Sequence, residues 1–244
     1  MESLVQTQLL EINRRFYEQF AASFSVTRDR VQPGVRGLLP RLVNAESILD
    51  LGCGNGTLSR ALAGTDFTGR YLGMDMSEGL LREAKSLLGQ NNAGNFVFQQ
   101  ADLTNSGWEQ TIERTPYNWL VSFAVLHHLP GDDFRRQIIQ AFTKLISPES
   151  RVAVSVWQWQ NSPRLYKHVI PWSKVGLADT DVDEGDVLLD WRAADQIGLR
   201  YVHTYNEDSL TSLAESAGFK VLESFYADGK PGNLALYQIW QLAE

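Results

Sequence analysis

Three glycines at alternate positions follow an apolar segment, and this loop constrains the fold more than any other feature of the chain. The segment Ser47–Leu51 runs directly into Gly52, Gly54 and Gly56. Glycines at such a turn let the backbone approach a bound ligand, because a Cβ atom there would collide with it. The usual dinucleotide loop has the spacing GxGxxG, whereas Thr57 stands here at the position of its third glycine. The loop therefore predicts a nucleotide-type ligand other than NAD.

Three later strand-like segments end in residues that suit the same ligand. Tyr71–Asp75 ends in an acid 23 residues after Gly52 (75 minus 52), where a carboxylate can accept hydrogen bonds from both ribose hydroxyls. Phe96–Leu103 carries Asp102, which suits an adenine amino group, and Trp119–Ala124 forms a fourth strand. One such acid alone is more typical of a helix cap or a turn. The prediction therefore rests on the order of all four strand ends.

Strand-like and helix-like segments alternate through the centre of the chain. We expect strands near 47–52, 70–75, 95–101, 118–124 and 151–157, and helices near 57–64, 78–88 and 132–146. This alternation predicts an α/β fold with a parallel sheet and right-handed crossovers. Apolar residues at three- and four-residue steps predict a further helix over 4–24. The end of the chain predicts a helix at 207–217 and a closing hairpin of strands 220–226 and 234–242.

These elements divide the chain into four parts. We expect an N-terminal helical lid at 1–45, a cofactor-binding α/β core at 46–158, a substrate-specific insertion after the fifth strand at 159–200, and the closing helix and hairpin of the same core domain at 201–244. The insertion is inferred from aromatics, prolines and charge blocks that a crossover does not require.

Composition limits the class of protein. A chain of 244 residues with 43% hydrophobic residues can fold as one domain with elaborations. The net charge of −7 argues mildly against a broad nucleic-acid surface. The single cysteine, Cys53, lies in the glycine loop, so no disulfide framework is possible. A signal-peptide pattern and a run of 18 apolar residues are both absent from the sequence, and we therefore expect a soluble cytoplasmic protein that does not bind membranes.

Two neighbouring segments have an uneven charge. Residues 151–175 carry four basic residues and no acid, interleaved with the aromatic side chains Trp157, Trp159, Tyr166 and Trp172. Such a segment can contact phosphates and stack bases, but these aromatics can equally form the core of the insertion. The acidic run at 179–190 resembles a calcium loop, except that Glu184 stands where the sharp turn needs glycine. We therefore expect a solvated acidic face there and no metal site.

The loop Asp50–Gly56, with the later strand ends, resembles motif I and its companions in class I S-adenosylmethionine-dependent methyltransferases. The resemblance implies a Rossmann-like fold with a seven-stranded, mostly parallel sheet whose last strand is antiparallel, preceded by an N-terminal helical extension. It also implies S-adenosylmethionine as cofactor. The residues implied to bind it are Asp50, Gly52, Cys53, Gly54, Asp75, Met76, Asp102, Leu103, Phe123 and Ala124.

Further motifs resemble a narrower family, the tRNA wobble-uridine carboxymethyl methyltransferases, including the methyltransferase half of the AlkB-type fusion proteins. The matching segments are Phe24–Arg28, Ala124–Leu129, Val156–Gln160, Gly185–Trp191 and Arg200–Tyr205. The resemblance covers nearly the whole chain, although the His-His-Leu element also occurs in many small-molecule methyltransferases. One departure is Asp190, which stands before Trp191 where the family tends to have proline.

This resemblance implies methyl transfer to the carboxylate of a 5-carboxymethyluridine in tRNA. A carboxylate is an ionised nucleophile near pH 7, so positioning is the main task, and an arginine can hold it bidentately. The residues assigned to catalysis are His128, Arg28, Arg200 and His203, and those assigned to the substrate are Tyr17, His127, Trp157, Trp191 and Tyr201.

Several alternatives stay open from the sequence. Arg28 can instead bind the methionine carboxylate of the cofactor, and His127 or His128 can serve only to hydrogen-bond the backbone. The substrate can be a small-molecule acid or metabolite, which the acidic pI favours, and a non-catalytic cofactor-binding module is a third class. The family resemblance also implies a small zinc-binding activator protein as partner, with the strand Phe96–Gln100 as a candidate docking edge.

Overall fold

The computed structural model describes residues 1–27, 30–89, 94–112, 116–193 and 196–243. The α-helices in these ranges are α1 (Ser3–Thr27), α2 (Pro33–Leu42), α3 (Thr57–Ala63), α4 (Glu78–Leu88), α5 (Asp132–Phe142), α6 (Pro163–Tyr166) and α7 (Glu207–Ser216). The strands are β1 (Ser47–Leu51), β2 (Arg70–Asp75), β3 (Phe96–Gln100), β4 (Tyr117–Phe123), β5 (Ile146–Trp157), β6 (Val169–Ile170), β7 (Asp186–Ala193), β8 (Gln196–His203), β9 (Phe219–Ala227) and β10 (Ala235–Leu242).

Seven strands form a central sheet in the order β3-β2-β1-β4-β5-β10-β9. The first five strands pair in parallel, and β10 runs antiparallel to both of its neighbours. Every residue of β1 is buried, as expected for a parallel strand covered by helices on both faces. The predicted seven-stranded, mostly parallel sheet with an antiparallel last strand is confirmed.

The strand order reverses between β1 and β4. From β1 the chain builds outward through β2 to the β3 edge, and it then returns to add β4 and β5 on the other side. In open α/β sheets, ligands bind in the crevice beyond the carboxyl ends of the strands at such a reversal. The topology therefore places a site beyond the ends of β1 and β4.

Two apolar clusters hold the helices on the sheet. One contains Ile139 and Phe142 of α5, Leu210 of α7 and Trp240 of β10, and the other is formed by side chains from α2, α3 and α4 on β1 and β2. The helix ends are set locally. The Ser77 side chain accepts a hydrogen bond from the Leu80 N–H at the start of α4, a cap that typically stabilises by about 1 kcal/mol.

The insertion forms a second sheet of three strands, in the order β6-β7-β8. Helix α1 packs on β8, and the Asn13 side chain substitutes there for a neighbouring strand. Its Oδ1 accepts from the Tyr201 N–H at 2.8 Å, and its Nδ2 donates to the Tyr201 carbonyl at 3.2 Å. A Cβ atom at Gly198 would lie 2.4 Å from the Phe20 ring, so only glycine allows this close approach. α1 is therefore anchored on the insertion.

Some segments differ from the expectations. α5 ends at Phe142 rather than at 146, because β5 already begins at Ile146. The boundary expected at 200 falls inside β8. The prediction of a solvated acidic face is wrong for Asp186 and Asp190, which are buried. Each is paired with neighbouring side chains: Tyr201 and His203 for Asp186, His168 and Arg192 for Asp190.

β3 lies at one edge of the central sheet, as the candidate docking edge requires. Val97 of this strand is 55% exposed. Across the described ranges, we find no helix with the length and apolar character needed to cross a bilayer.

Candidate active site

A cavity of about 470 Å³ opens beyond the carboxyl ends of β1, β2 and β4. Its volume lies in the range typical of small-molecule sites. The glycine loop and the ends of β2 and β3 line one side, and side chains of α1, of Val125, His128 and Leu129 after β4, and of the last hairpin line much of the rest. Twelve of the predicted site residues lie together here, namely Tyr17, Gly52, Cys53, Gly54, Asp75, Met76, Asp102, Leu103, Phe123, Ala124, His128 and Trp157.

The loop glycines are needed for different reasons. Gly52 has φ +79°, and a Cβ atom there would lie 2.3 Å from a methyl carbon of Val125. Gly54 has φ +56° and faces the cavity, with no heavy atom within 4 Å of where its Cβ would stand. Gly52 therefore serves protein packing, whereas Gly54 keeps open a cradle that a side chain would fill. This opening fits close approach of a ligand to the backbone.

Asp75 joins the end of β2 to the glycine loop. Its Oδ2 accepts the Gly54 N–H at 2.9 Å, and its Oδ1 accepts the Ser77 N–H at 2.9 Å. Burial raises the pKa of the Asp75 carboxyl, and the backbone N–H donors oppose that rise. The two carboxylate oxygens together offer about four acceptor sites, more than the backbone N–H groups of Gly54, Ser77 and Met76 occupy, so Asp75 can still accept a hydrogen bond from a ligand hydroxyl in the cavity.

Asp50 does not line the cavity. It lies in β1 beneath the loop, 3% exposed, and accepts a hydrogen bond from the Tyr71 hydroxyl. Burial, and secondarily the charge of Asp75, raises the pKa of the Asp50 carboxyl to about 7, although the Tyr71 bond lowers it. The structure thus places Asp50 as a support behind the loop rather than among the residues at the cavity surface.

Asp102 lines the cavity at the end of β3 and already has several partners. Its Oδ1 accepts from the Thr104 N–H and hydroxyl, and its Oδ2 accepts from Arg14 of α1 at 3.0 Å. The Arg14 side chain is 45% exposed and the Asp102 side chain 17% exposed. This ion pair ties α1 across the cavity to the strand end.

His128 lies in the wall opposite the glycine loop and has partners at both ring nitrogens. Its Nδ1 lies 3.2 Å from the Tyr201 carbonyl oxygen, and its Nε2 lies 2.8 Å from the Tyr17 hydroxyl. A carbonyl only accepts, so Nδ1 carries the hydrogen, and in the neutral ring Nε2 accepts from Tyr17. Asn13 also donates to the His128 carbonyl at 3.2 Å.

Three other predicted residues lie away from the cavity surface. His127 is buried, and its Nδ1 accepts the Trp157 N–H at 3.2 Å. Tyr201 and His203 both bond Asp186, at 2.7 Å each. The first contact joins the segment after β4 to the end of β5, and the other two join β8 to β7. The described hydrogen bond of His127 is thus to the backbone, and its ring also contacts the rings of His128 and Trp157.

Arg200 is buried among aromatic rings rather than in the cavity wall. Its guanidinium carbon lies 4.5 Å from the Trp157 ring centroid, 5.1 Å from that of Phe16 and 5.8 Å from that of Trp191. Only Trp157 of this group lines the cavity. Arg28 lies outside the described residues.

The sequence reasoning missed several cavity residues. Asn13 and Arg14 belong to α1, whose helical pattern shows which side is apolar but not what it covers. Arg30 is exposed at the cavity. Asp228, a left-handed residue with φ +69°, accepts from the Gly34 N–H at 2.9 Å and from the Tyr237 hydroxyl at 2.7 Å. The one sequence signal near Asp228 is the Gly-Lys-Pro-Gly segment at 229–232, which is typical of a turn.

The profile of a methyltransferase-domain family matches residues 24–224. This chain belongs to that family. With the fold described above, the match confirms a class I, S-adenosylmethionine-dependent methyltransferase, and thus an enzyme rather than a non-catalytic module. The open cradle at Gly54 fits this cofactor.

The individual relatives are between 24% and 33% identical to this chain over the matched residues. A protein of Encephalitozoon cuniculi, whose name goes no further than methyltransferase, is 28% identical over 86% of this chain and 87% of its own. The tRNA (carboxymethyluridine(34)-5-O)-methyltransferase of Schizosaccharomyces pombe is 24% identical over 88% of this chain and 92% of its own. The trans-aconitate 2-methyltransferase of Streptomyces avermitilis is 33% identical over 58% of this chain and 51% of its own.

A solved structure has the same fold. It is a Haloferax volcanii protein in complex with the Trm112 methyltransferase activator, with a TM-score of 0.65 and 14% identity, covering 95% of this chain and 97% of that one. At this identity the likeness concerns the fold alone.

Proposed function

We propose that this methyltransferase acts on a carboxylate oxygen of a 5-carboxymethyluridine at the wobble position of tRNA, forming a methyl ester. The observation that carries the proposal is the similarity to the Schizosaccharomyces pombe tRNA enzyme along most of both chains, together with the wobble-uridine motifs in the sequence.

The contacts of His128 support an acceptor that is ionised before it binds. Both ring nitrogens of His128 already have partners, Tyr17 and the Tyr201 carbonyl. A carboxylate needs no base near pH 7, so its reaction depends on orientation, which is worth about 7 to 11 kcal/mol in well-aligned systems. In this proposal the Tyr17 hydroxyl turns from His128 and donates its hydrogen to one carboxylate oxygen, and the other oxygen remains the nucleophile.

The cofactor side is assigned to residues at the strand ends. Gly54 supplies the open backbone, Asp75 accepts from the ribose hydroxyls, and Asp102 accepts from the adenine amino group after Arg14 moves from its Oδ2. When bound, S-adenosylmethionine supplies an electrophilic methyl group on its sulfonium. The buried position of Asp75 strengthens such hydrogen bonds, since there is little water to compete with them.

Arg200 is assigned a positioning role in this proposal. Its guanidinium lies against the Trp157 ring. A cation is attracted to the face of an aromatic ring, so Arg200 holds Trp157 in the cavity wall. Arg30 is an exposed arginine at the cavity and can meet an anionic substrate there. The clamp role of Arg28 remains a prediction, tested by calorimetry of Arg28→Ala with substrate and with cofactor separately.

A small-molecule acid is the second candidate substrate. The similarity to a trans-aconitate methyltransferase favours it, and so does the net charge of −7. The chemistry at Tyr17 and His128 would be the same, because the accepting group is again a carboxylate.

A zinc-binding activator is proposed as a partner at the β3 edge. The exposed Val97 on that edge strand suits strand addition, in which a partner pairs with the unpaired backbone groups. Gel filtration with a purified activator tests this proposal, and an unchanged complex with the Val97→Pro variant would count against this edge.

The deciding experiment incubates the purified protein with methyl-labelled S-adenosylmethionine and either tRNA or a small-molecule extract, with and without an activator protein. Each product is then treated with mild alkali. Label that enters tRNA and leaves as methanol supports the proposal. Label confined to the extract would replace it with the small-acid function.

Tyr17→Phe tests the orienting role. Loss of one hydrogen bond to a charged group costs about 1.5 to 3 kcal/mol, so kcat/KM for the acceptor should fall at least tenfold while cofactor affinity is retained. Tyr226→Phe, at a 44% exposed tyrosine of β9, is the matched control. Equal kinetics for both variants would contradict the role of Tyr17.

A further inference from the structure

Helix α6 and its flanking residues carry an excess of positive charge in an otherwise acidic chain. Residues 150–178 contain no Asp or Glu, although the whole chain has 29 such residues and a net charge of −7. Arg164, Lys167 and Lys174 lie in this stretch, and all three are exposed. The nearby acid Asp190 is buried and already paired with His168 and Arg192. Its charge is therefore largely neutralised within the protein.

Tyr166, at the end of α6, presents an aromatic ring to solvent in the same place. Tyr166 is 63% exposed, while Trp159 and Trp172 are buried in the core of the insertion. The Tyr166 ring stacks on Trp159 with centroids 5.9 Å apart and planes inclined by 24°. Trp159 is itself held by a 3.0 Å hydrogen bond from its Nε1 to Thr204. One face of the Tyr166 ring is thus supported from behind, which reduces the entropy lost when a second ring stacks on it.

This region borders the cavity. The Gln158 N–H donates to the Leu234 carbonyl at 2.8 Å, and the Asn161 side chain donates to the Asn233 carbonyl at 2.9 Å. Leu234 and Trp157 both line the cavity. The segment that leads into α6 is therefore fixed to the cavity rim by two hydrogen bonds.

We infer that Arg164, Tyr166 and Lys167 form an RNA-binding surface, on which Tyr166 stacks with an unpaired base while the two cations contact phosphates of the strand that delivers the wobble uridine. The inference rests on the proposed function and names the part of the protein that holds its tRNA substrate. Unpaired bases stacked on aromatic rings beside basic side chains are the usual basis of single-stranded RNA binding. A loop nucleotide that enters the cavity leaves its neighbours at the rim, where this surface lies.

The test measures binding of bulk tRNA by filter retention over a range of salt concentrations. The double variant Arg164→Gln/Lys167→Gln should bind at least tenfold more weakly, and the slope of log K against log salt should become shallower by about 1.5, since two phosphate contacts are lost. Tyr166→Ala should weaken binding about fivefold or more, and Tyr166→Leu should not restore it. The matched control, Arg82→Gln/Lys85→Gln on the exposed side of α4, removes the same charge elsewhere.

A second measurement separates this inference from the proposed function. Methyl transfer to tRNA and to free 5-carboxymethyluridine is compared for wild type and for the double variant. A raised KM for tRNA with unchanged kcat/KM for the free nucleoside supports the surface. If wild type methylates tRNA and the variants at 164, 166 and 167 match the α4 control in affinity and salt slope, the surface is refuted and the function stands. If wild type neither binds nor methylates tRNA but methylates small acids, both fail together.

Discussion

Asp50 supplies a direct link between the structure and the pH dependence of stability. Its carboxyl is fully enclosed beneath the glycine loop, and its pKa is raised from 3.8 to about 7. A carboxyl with a raised folded-state pKa holds its proton more tightly in the folded chain than in the unfolded one. Its contribution to stability is therefore complete below pH 3.8 and is lost as the pH rises through about 7.

The size of this loss follows from the shift. Each pKa unit corresponds to about 1.36 kcal/mol. Between pH 5 and the folded-state pKa of about 7, the unfolded chain has already lost this proton while the folded chain keeps it, so stability falls over roughly two pH units before it levels off. The free energy of unfolding of the wild type should thus fall by about 2.5 kcal/mol between pH 5 and pH 8 through Asp50 alone. Asp50→Asn cannot titrate. Its extra N–H group costs about 1 to 3 kcal/mol if it finds no partner, but that cost is the same at every pH.

The assay is urea unfolding followed by circular dichroism at pH 5, 6, 7 and 8 for wild type, Asp50→Asn and the control Asp66→Asn at an exposed aspartate. Titration of groups that do not interact with Asp50 cancels in the difference between wild type and variant. The difference for Asp50→Asn should change by about 2.5 kcal/mol in favour of the variant from pH 5 to pH 8, while the control runs parallel to wild type. Parallel profiles for Asp50→Asn would refute the reasoning.

Three further predictions concern the cavity. Asp75→Asn should raise the Kd for S-adenosylmethionine at least tenfold, because hydrogen bonds to a charged group are worth about 1.5 to 3 kcal/mol; calorimetry that finds an unchanged Kd would reject this site assignment. Gly54→Ala should keep the fold at a cost of about 1 to 2 kcal/mol from its left-handed backbone yet lose cofactor binding, and normal binding would show that the open cradle is not used. Arg14→Ala should change stability by less than about 1 kcal/mol, since its pair with Asp102 is half-exposed, and should tighten cofactor binding in the same titration, whereas weaker binding would mean that Arg14 assists the ligand.

Local patterns were sufficient to predict one side of the cavity. Asp75 and Asp102 end parallel strands, and the carboxyl ends of such strands meet at one edge of a sheet, so their position in the chain predicts their position in space. Asp50 shows the limit of this reasoning. It belongs to the same motif, but it lies within β1, and the direction in which its side chain points depends on Tyr71 of the neighbouring strand.

For β8, by contrast, position in the chain does not predict which side chains reach the cavity. Arg200, Tyr201 and His203 were grouped by one short motif, yet alternation along β8 sends neighbouring side chains to opposite faces. Arg200 lies among aromatic rings, whereas Tyr201 and His203 bond Asp186. Asn13 was not predicted because its partners are backbone groups 188 residues away.

The sequence by itself determined the class I fold, the glycine loop and the acids at the strand ends, because these depend on short-range periodicity and on turns that only glycine can make. The tertiary structure alone decided which side chains line the cavity. That choice depends on how α1 and the second sheet pack across the cavity, and their long-range contacts, such as those of Asn13 with Tyr201 and of Tyr17 with His128, leave no periodic signal in the chain.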